Sequence, residues 1–339
     1  MAVNDQLSVK EFTKLWIGNP FKPGFEKKDE ELCEGNTPTQ IIKMVDTYLE
    51  NLCNNEVIDK DFITRATLAL EHYRRIKTNS AQKIPYIKKY KAHLLEKVSL
   101  DLLERLIDAA GRCRNSLDPS SGGALIHGSD PRIEKLREEI WYVCFGGDIF
   151  IAATHFKKLQ EENVLIIGKT GTGKELVAQV IASSCFLKDK QPTLSGINVS
   201  AMPRELLESE LYGYKKGAHS TAQKDSVGLM RGTESGTLLL DEIGDLLPES
   251  QPKLLRALET RKVRKIGGTV DEPIDVRIIS ATHKDLDQPI EEKDLDQSVK
   301  GKEVFRRDLL YRLRGVTITT VPLGELNSDT IEEIASSLI

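Results

Sequence analysis

The sequence predicts an α/β fold, a parallel sheet sandwiched by helices, preceded by a small all-helical domain. Three observations carry that expectation. Up to about residue 115, apolar positions recur at helical spacing. Beyond it, short apolar runs alternate with helical stretches. A glycine-rich segment, Gly168–Lys174, stands where one such run passes into a helix. Strands alternating with helices need crossover connections, which make the strands parallel and cover both sheet faces.

Taken in order, Thr37-Pro38 is a helix start, followed by Ile41, Val45, Leu49 and Leu52. Asp59 or Asp61 caps a second helix carrying Phe62, Ala66, Leu70 and Tyr73. A third runs from Pro85 through Ile87 and Tyr90 to Leu95. Ser99 caps a fourth, with Leu102, Leu103, Leu106, Ile107 and Ala110 on one face. Asp118–Gly123 then breaks all periodicity. The expected organisation is a helical domain over 1–115, a linker over 116–127 and an α/β domain over 128–339. In the latter, Asn163–Ile167, Thr237–Leu240 and Val276–Ser280 read as buried strands, and Leu176, Val177, Val180 and Ile181 mark a helix. Lys284–Gln288 repeats at Lys293–Gln297, a surface insertion too short for a solenoid.

Composition narrows the function classes. The 339 residues carry 48 Lys+Arg against 52 Asp+Glu, a net charge of −4, with 39% apolar and 29% charged residues. That excludes a disordered chain and a histone-like binder. No apolar run approaches the ~18–20 residues of a membrane helix; Ile149–Ala153 is short. The N-terminus lacks a signal-peptide pattern, so neither a secreted nor a membrane protein is expected. Cys33, Cys53, Cys113, Cys144 and Cys185 are odd in number and form no C-x-x-C pair. They fit a reducing cytosol, and a cytoplasmic location is expected. Arg74, Arg75, Lys77, Lys83, Lys88, Lys89, Lys91 and Lys97 cluster among Tyr73, Tyr86 and Tyr90. Without a groove-reading motif, the solvated faces of two helices explain them better than a nucleic-acid surface.

Gly168-Lys169-Thr170-Gly171-Thr172-Gly173-Lys174 matches G-x-x-x-x-G-K after a strand and before a helix, the context of a P-loop. Its glycines let backbone N–H groups turn toward phosphates, the helix N-terminus adds partial positive charge, and Lys174 adds a full one. The usual magnesium-ligating Ser/Thr is Glu175 here. Downstream, Thr237–Leu240 ends in Asp241-Glu242. Asp241 is placed to hold Mg²⁺ through water and Glu242 to polarise the attacking water, which completes a magnesium-ATP site.

These blocks, with Glu205–Gly213, Lys253–Leu258, Asp275–Thr282 and Phe305–Leu313 in the same order, resemble the AAA+ ATPase domain of sigma-54-dependent transcription activators, the bacterial enhancer-binding proteins, over about Gly128–Ala335. Glu175 is that family's own residue. The resemblance implies that Asn198 restrains Glu242 until the site is engaged. It also implies that Arg306 and Arg312 reach a neighbouring subunit's γ-phosphate in a homo-oligomeric ring, and that the target is sigma-54 RNA polymerase. His283 stands where the family has a sensor asparagine and keeps a hydrogen bond for a phosphate. The family's sigma-54-contacting loop, Gly-Ala-Phe-Thr-Gly-Ala, reads Gly217-Ala-His219-Ser220-Thr221-Ala222 here. An ATPase of the same lineage with another protein target is therefore the alternative, and an ATP-binding scaffold without hydrolysis a third reading. The chain as given stops after Val321–Leu326 and Ala335, so no lid, helix-turn-helix or DNA contact through it is expected.

Overall fold

The structure, a computed structural model, describes residues 3–54, 59–78, 84–96, 98–186, 193–218, 222–287 and 305–337. Among the described residues, eight α-helices precede the first strand: α1 (Val3–Ile17), α2 (Phe25–Cys33), α3 (Pro38–Cys53), α4 (Lys60–Thr78), α5 (Pro85–Lys89), α6 (Leu100–Leu117), α7 (Pro131–Phe145) and α8 (Ile149–Glu161). Then come β1 (Val164–Ile167), α9 (Lys174–Ser183), β2 (Leu194–Asn198), α10 (Arg204–Tyr212), α11 (Leu229–Gly232), β3 (Thr237–Asp241) and α12 (Gln251–Thr260). The chain continues through β4 (Lys262–Arg264), β5 (Asp271–Pro273), β6 (Arg277–Thr282), α13 (Arg307–Leu313), β7 (Val316–Thr319) and α14 (Ser328–Ser337). No helix among the described residues is long and apolar enough to cross a membrane.

Two compact units result. One comprises Met1–Leu159, Ser183–Gln191 and Leu326–Ile339; the other comprises Gln160–Ala182 and Pro192–Glu325. This division differs from a boundary at 115–128, and the packing of the helical unit explains why. Trp141 of α7 stacks on His72 of α4 with centroids 5.9 Å apart, and the Arg65 guanidinium lies 3.7 Å from the Phe150 ring centre. The Leu125 N–H donates to the Ser116 carbonyl at 2.7 Å, and Arg137 donates to the carbonyls of Ile126 and Gly128 at 3.1 and 2.6 Å. The segment expected to be a linker is thus tied into the helical unit at both ends. α14 joins the same unit, because the Thr330 hydroxyl accepts the N–H groups of Ser129 and Asp130.

Local signals placed these helices. Thr37 and Gln40 form a capping box on α3, the Asp59 carboxylate accepts the Phe62 N–H ahead of α4, and the Ser99 hydroxyl accepts the Leu102 N–H on α6. The third predicted helix is shorter than expected. It stops at Lys89, where the Tyr90 hydroxyl is drawn to the Asp46 carbonyl at 2.9 Å. α4 runs through the core and buries Glu71, which accepts Arg74 Nε at 2.9 Å and the backbone N–H groups of Tyr86 and Ile87. The basic cluster is largely neutralised locally. Arg75 pairs with Asp108, Lys77 with Asp29 and Lys89 with Asp46 and Glu50, while Tyr73 and Tyr90 are core residues. Lys83 and Lys97 lie outside the described residues.

The second unit holds a five-stranded parallel sheet in the order β2-β3-β6-β1-β7 and an antiparallel β4–β5 hairpin. β1 and β6 are buried almost throughout, as apolar runs covered on both faces must be. Leu238 and Leu240 of β3, Ile278 of β6, Leu254 and Leu258 of α12 and Leu309 and Leu313 of α13 share one core. Glu208 of α10 accepts Lys253 Nζ at 2.6 Å, the Ser250 hydroxyl at 3.0 Å and Arg204 Nε at 3.2 Å, which fastens α10 to the start of α12.

Burial opposes ionisation of Glu208, yet its Lys253, Arg204 and Ser250 hydrogen bonds hold the carboxyl below the usual carboxylate range. A depressed carboxyl contributes stability above its unfolded value and loses it as pH falls through the folded one. Glu208→Gln is therefore expected to cost about 1–3 kcal/mol at neutral pH, a cost that shrinks in acid. Urea unfolding across a pH series measures this, and a cost independent of pH contradicts it.

Candidate functional site

Because the five strands run parallel, their carboxyl ends share one edge, where open α/β sheets bind ligands. β1 ends at Ile167, opposite Thr282 of β6 and Thr319 of β7. The Gly168 N–H donates to the Thr282 carbonyl at 3.0 Å, and a Cβ at Gly168 would collide with the Thr320 hydroxyl. Gly171 and Gly173 take φ of 81° and 82°, open to glycine and strained for other residues. The Thr172 hydroxyl donates to the Lys169 carbonyl at 2.7 Å and shares a 2.6 Å hydrogen bond with Thr320. Lys169, Thr170, Gly171 and Glu175 are exposed. Lys174, 8% exposed, turns its ammonium to the carbonyls of Gly168 and Lys169 at 3.0 and 3.4 Å.

Glu242 meets that ammonium, with Oε1 3.6 Å from Lys174 Nζ. It follows the end of β3 in a left-handed conformation, φ 52°, uncommon outside glycine. Its Oε2 accepts His283 Nδ1 at 2.6 Å and the His283 backbone N–H at 3.3 Å. A carboxylate oxygen only accepts, so Nδ1 carries the proton. Burial opposes ionisation of Glu242, but the His283 hydrogen bonds and the Lys174 charge hold the carboxyl below the usual carboxylate range.

Asn198 is placed differently from expectation. β2 and β3 pair Asn198 with Asp241, so its short amide reaches Asp241 Oδ2 at 3.4 Å, while its own oxygen accepts the N–H and hydroxyl of Ser200. His283, expected to point at a phosphate, is the residue on Glu242. Asp241 also accepts the Glu242 N–H at 3.0 Å. Arg306 and Arg312 are not brought into this cluster. Arg306 pairs with Asp308 at 2.7 Å and donates its backbone N–H to Gln251 Oε1. Arg312 donates to the Leu258 carbonyl at 3.1 Å. Sequence reasoning missed Thr320 and Gln251. The β-branched run Val316–Thr319, unread as a strand, was the available signal for Thr320.

The Gly217–Ala222 loop is closed at its base, where the Gly217 N–H donates to the Ala222 carbonyl at 2.9 Å. Asp225 secures one side through Lys215 Nζ at 2.7 Å and the Lys216 N–H at 2.9 Å. His219, Ser220 and Thr221 lie outside the described residues, as does Lys293–Gln297.

A family model described as the sigma-54 interaction domain matches residues 149–319. The chain belongs to the sigma-54 interaction domain family. The hydrogenase transcriptional regulatory protein HoxA of Cupriavidus necator is 41% identical over 182 residues, 52% of this chain and 34% of that protein. The transcriptional regulatory protein GlrR of Escherichia coli K12 is 44% identical over 167 residues, 49% of this chain and 35% of its own. The transcriptional regulator VasH of Vibrio cholerae is 40% identical over 227 residues, 66% of this chain and 37% of its own. The chain thus spans little more than a third of each relative. The P-loop, the Asp241–Glu242 pair and the Gly217–Ala222 loop all fall inside the sigma-54 interaction domain match.

Removing the imidazole in His283→Ala leaves burial acting on Glu242 with one fewer donor. The Glu242 carboxyl pKa is expected to rise, read from its ¹³C shift during a pH titration. An unmoved value means that the 2.6 Å contact contributes nothing to the carboxylate.

Proposed function

We propose that this chain is the ATP-hydrolysing AAA+ part of a transcription regulator that remodels sigma-54 RNA polymerase, acting as a homo-oligomeric ring. The observation that carries the reading is Glu242 held between Lys174 and His283 at the mouth of the Gly168–Lys174 loop. The family membership and the relatives' names as transcriptional regulators support the target.

In this reading the backbone of Gly168–Gly173 cradles the phosphates of ATP, and Glu175 lies in the first turn of the helix beneath them. Lys174 moves its ammonium from the loop carbonyls and Glu242 to the outer phosphates. Glu242 then keeps one partner, His283, and accepts a proton from the attacking water as His283 lets go. Asp241 fits a magnesium ion, since that ion needs only one or two carboxylates beside the phosphates, and one oxygen of Asp241 meets nothing stronger than an amide at 3.4 Å. Bound there, the ion would neutralise phosphate charge. Asn198 acts through Asp241. Arg306 and Arg312 make their contacts away from the P-loop, which supports a role in a neighbouring subunit's site. Hydrolysis then depends on assembly.

One observation favours a second reading, an ATPase of this lineage with another protein target. His219 and Thr221 stand where the family's loop has Phe and Gly, replacing an apolar anchor and stiffening the loop.

Lys174→Ala is expected to abolish ATP binding, and Glu242→Gln to keep binding while lowering hydrolysis by about 10²–10⁴-fold. Equilibrium nucleotide binding and phosphate release check both, and parental hydrolysis by either variant removes the site assignment. Mixing Arg306→Ala with Lys174→Ala subunits is expected to restore part of the phosphate release lost in each. No rescue at any ratio places the arginines in cis or outside catalysis. Trapping with sigma-54 in a transition-state analogue separates the two targets: His219→Phe with Thr221→Gly strengthens capture if sigma-54 is the partner, and no capture by either loop favours the second reading.

A further inference from the structure

A separate feature lies in the helical unit. A cavity of about 1120 Å³ is lined by the loop into α2, the end of α6, the start of α7 and one face of α14. Its volume reaches that of small-molecule sites. Arg114 forms part of the wall. Its guanidinium lies 5.1 Å from the Trp16 ring centre and 5.4 Å from that of Phe25. Among the described residues this guanidinium makes no hydrogen bond or ion pair, and its Nη1 is fully covered and unpartnered. Burial pushes its pKa down, opposed by the more distant carboxylates of Asp118, Asp29 and Glu26. Arginine presents five donors in a planar fork suited to a carboxylate. Arg114 is only partly buried, but a covered Nη1 with no acceptor is costly, and rings on one side do not supply one. Arg137, also on the wall, differs in having its donors taken by the carbonyls of Ile126 and Gly128.

The remaining wall has the opposite character. Glu26, Glu134 and Glu332 line the cavity and have no ion-pair partner among the described residues. Asp118 and Glu333 line it as well, each accepting a serine hydroxyl. A simple anion on Arg114 would face these carboxylates, and a simple cation beside them would face Arg114. A molecule with a carboxylate at one end and an ammonium or guanidinium at the other satisfies both.

We propose that this cavity is a binding site for a small zwitterion of the amino-acid class, its carboxylate on Arg114 and its cationic end among Glu26, Glu134 and Glu332. The site is independent of the P-loop chemistry.

The full chain has two tryptophans, and Trp16 packs against Arg114, so intrinsic fluorescence reports occupancy. Free L-amino acids are titrated one at a time, with acetate, inorganic phosphate and putrescine as molecules bearing one kind of charge. At least one amino acid is expected to change the emission saturably and raise the melting temperature, while the three controls do neither. Arg114→Gln weakens that binding about tenfold or more, the loss of a charge-assisted contact. Glu332→Lys, at an exposed position that leaves the fold intact, weakens it as well. The proposal is overturned if no amino acid binds at millimolar concentration, if acetate or putrescine binds as tightly, or if Arg114→Gln binds unchanged. Should Arg114→Gln fail to fold, unchanged affinity in Glu332→Lys overturns it alone.

Discussion

Lys174 brings a full positive charge to a position 8% exposed, and the geometry of the carboxyl edge follows from what surrounds that charge. An ammonium withdrawn from water needs acceptors. Two come from the loop itself, the carbonyls of Gly168 and Lys169, which the left-handed Gly171 and Gly173 allow to curl back. The third is Glu242, reached only because the backbone at that residue turns into a left-handed conformation past the end of β3. Such a conformation costs on the order of 1 kcal/mol or more outside glycine. The pairing with Lys174 and His283 offsets that cost.

Strand register then fixes the second partner. β1 and β6 align Ile167 with Thr282, so Gly168 and His283 leave the sheet side by side. β2 and β3 align Asn198 with Asp241. The amide therefore lies beside Asp241 and the imidazole, further along the edge, beside Glu242, so the two acids of the pair acquire different neighbours. Asp241 meets a neutral amide, and Glu242 a ring that donates and an ammonium. Held low by those two groups, Glu242 is a weak base as it stands. In the proposed reaction its strength as a proton acceptor depends on how many of these contacts persist once phosphates compete for Lys174.

What could be read in advance followed the same physics. The P-loop was legible because its glycines, lysine and flanking strand are consecutive in the chain. β1, β3 and β6 were legible as apolar runs because the sheet buries both faces of its inner strands. β2 and β7 stand at the two edges, where Leu194–Asn198 and Val316–Thr319 mix polar with apolar residues, and neither was read as a strand. With β7 went Thr320, whose hydroxyl braces the loop at Thr172. α1 and α2 escaped notice for a related reason. Trp16, Phe25 and Asp29 are spread over two helices, and only tertiary packing joins them, as when Trp16 Nε1 donates to Asp29 at 2.8 Å. The contact of His283 with Glu242 joins residues 41 apart in sequence and depends on register and a left-handed backbone, neither of which a motif encodes.

Buried charge separates groups that the fold completes from those that it leaves open. Glu71 is fully buried, yet it has a guanidinium and two backbone N–H groups. Glu208 has three donors, and Arg137 has two carbonyls. Each is satisfied by neighbours held in place by helix packing, and nothing further is needed. Lys174 is satisfied differently, by loop carbonyls and by Glu242, a group that has chemistry of its own at this edge. In the proposed function those partners are exchanged, because a phosphate offers stronger acceptors than a carbonyl. Arg114 lies at the far end of this series, with two aromatic rings against it and no acceptor among the described residues. Arg114 is only partly buried, but its Nη1 is left without the hydrogen bond that a covered donor normally finds. Arg114 has carboxylates in its vicinity but no acceptor among the described residues within hydrogen-bonding reach of its guanidinium, and the cavity beside it is where one fits.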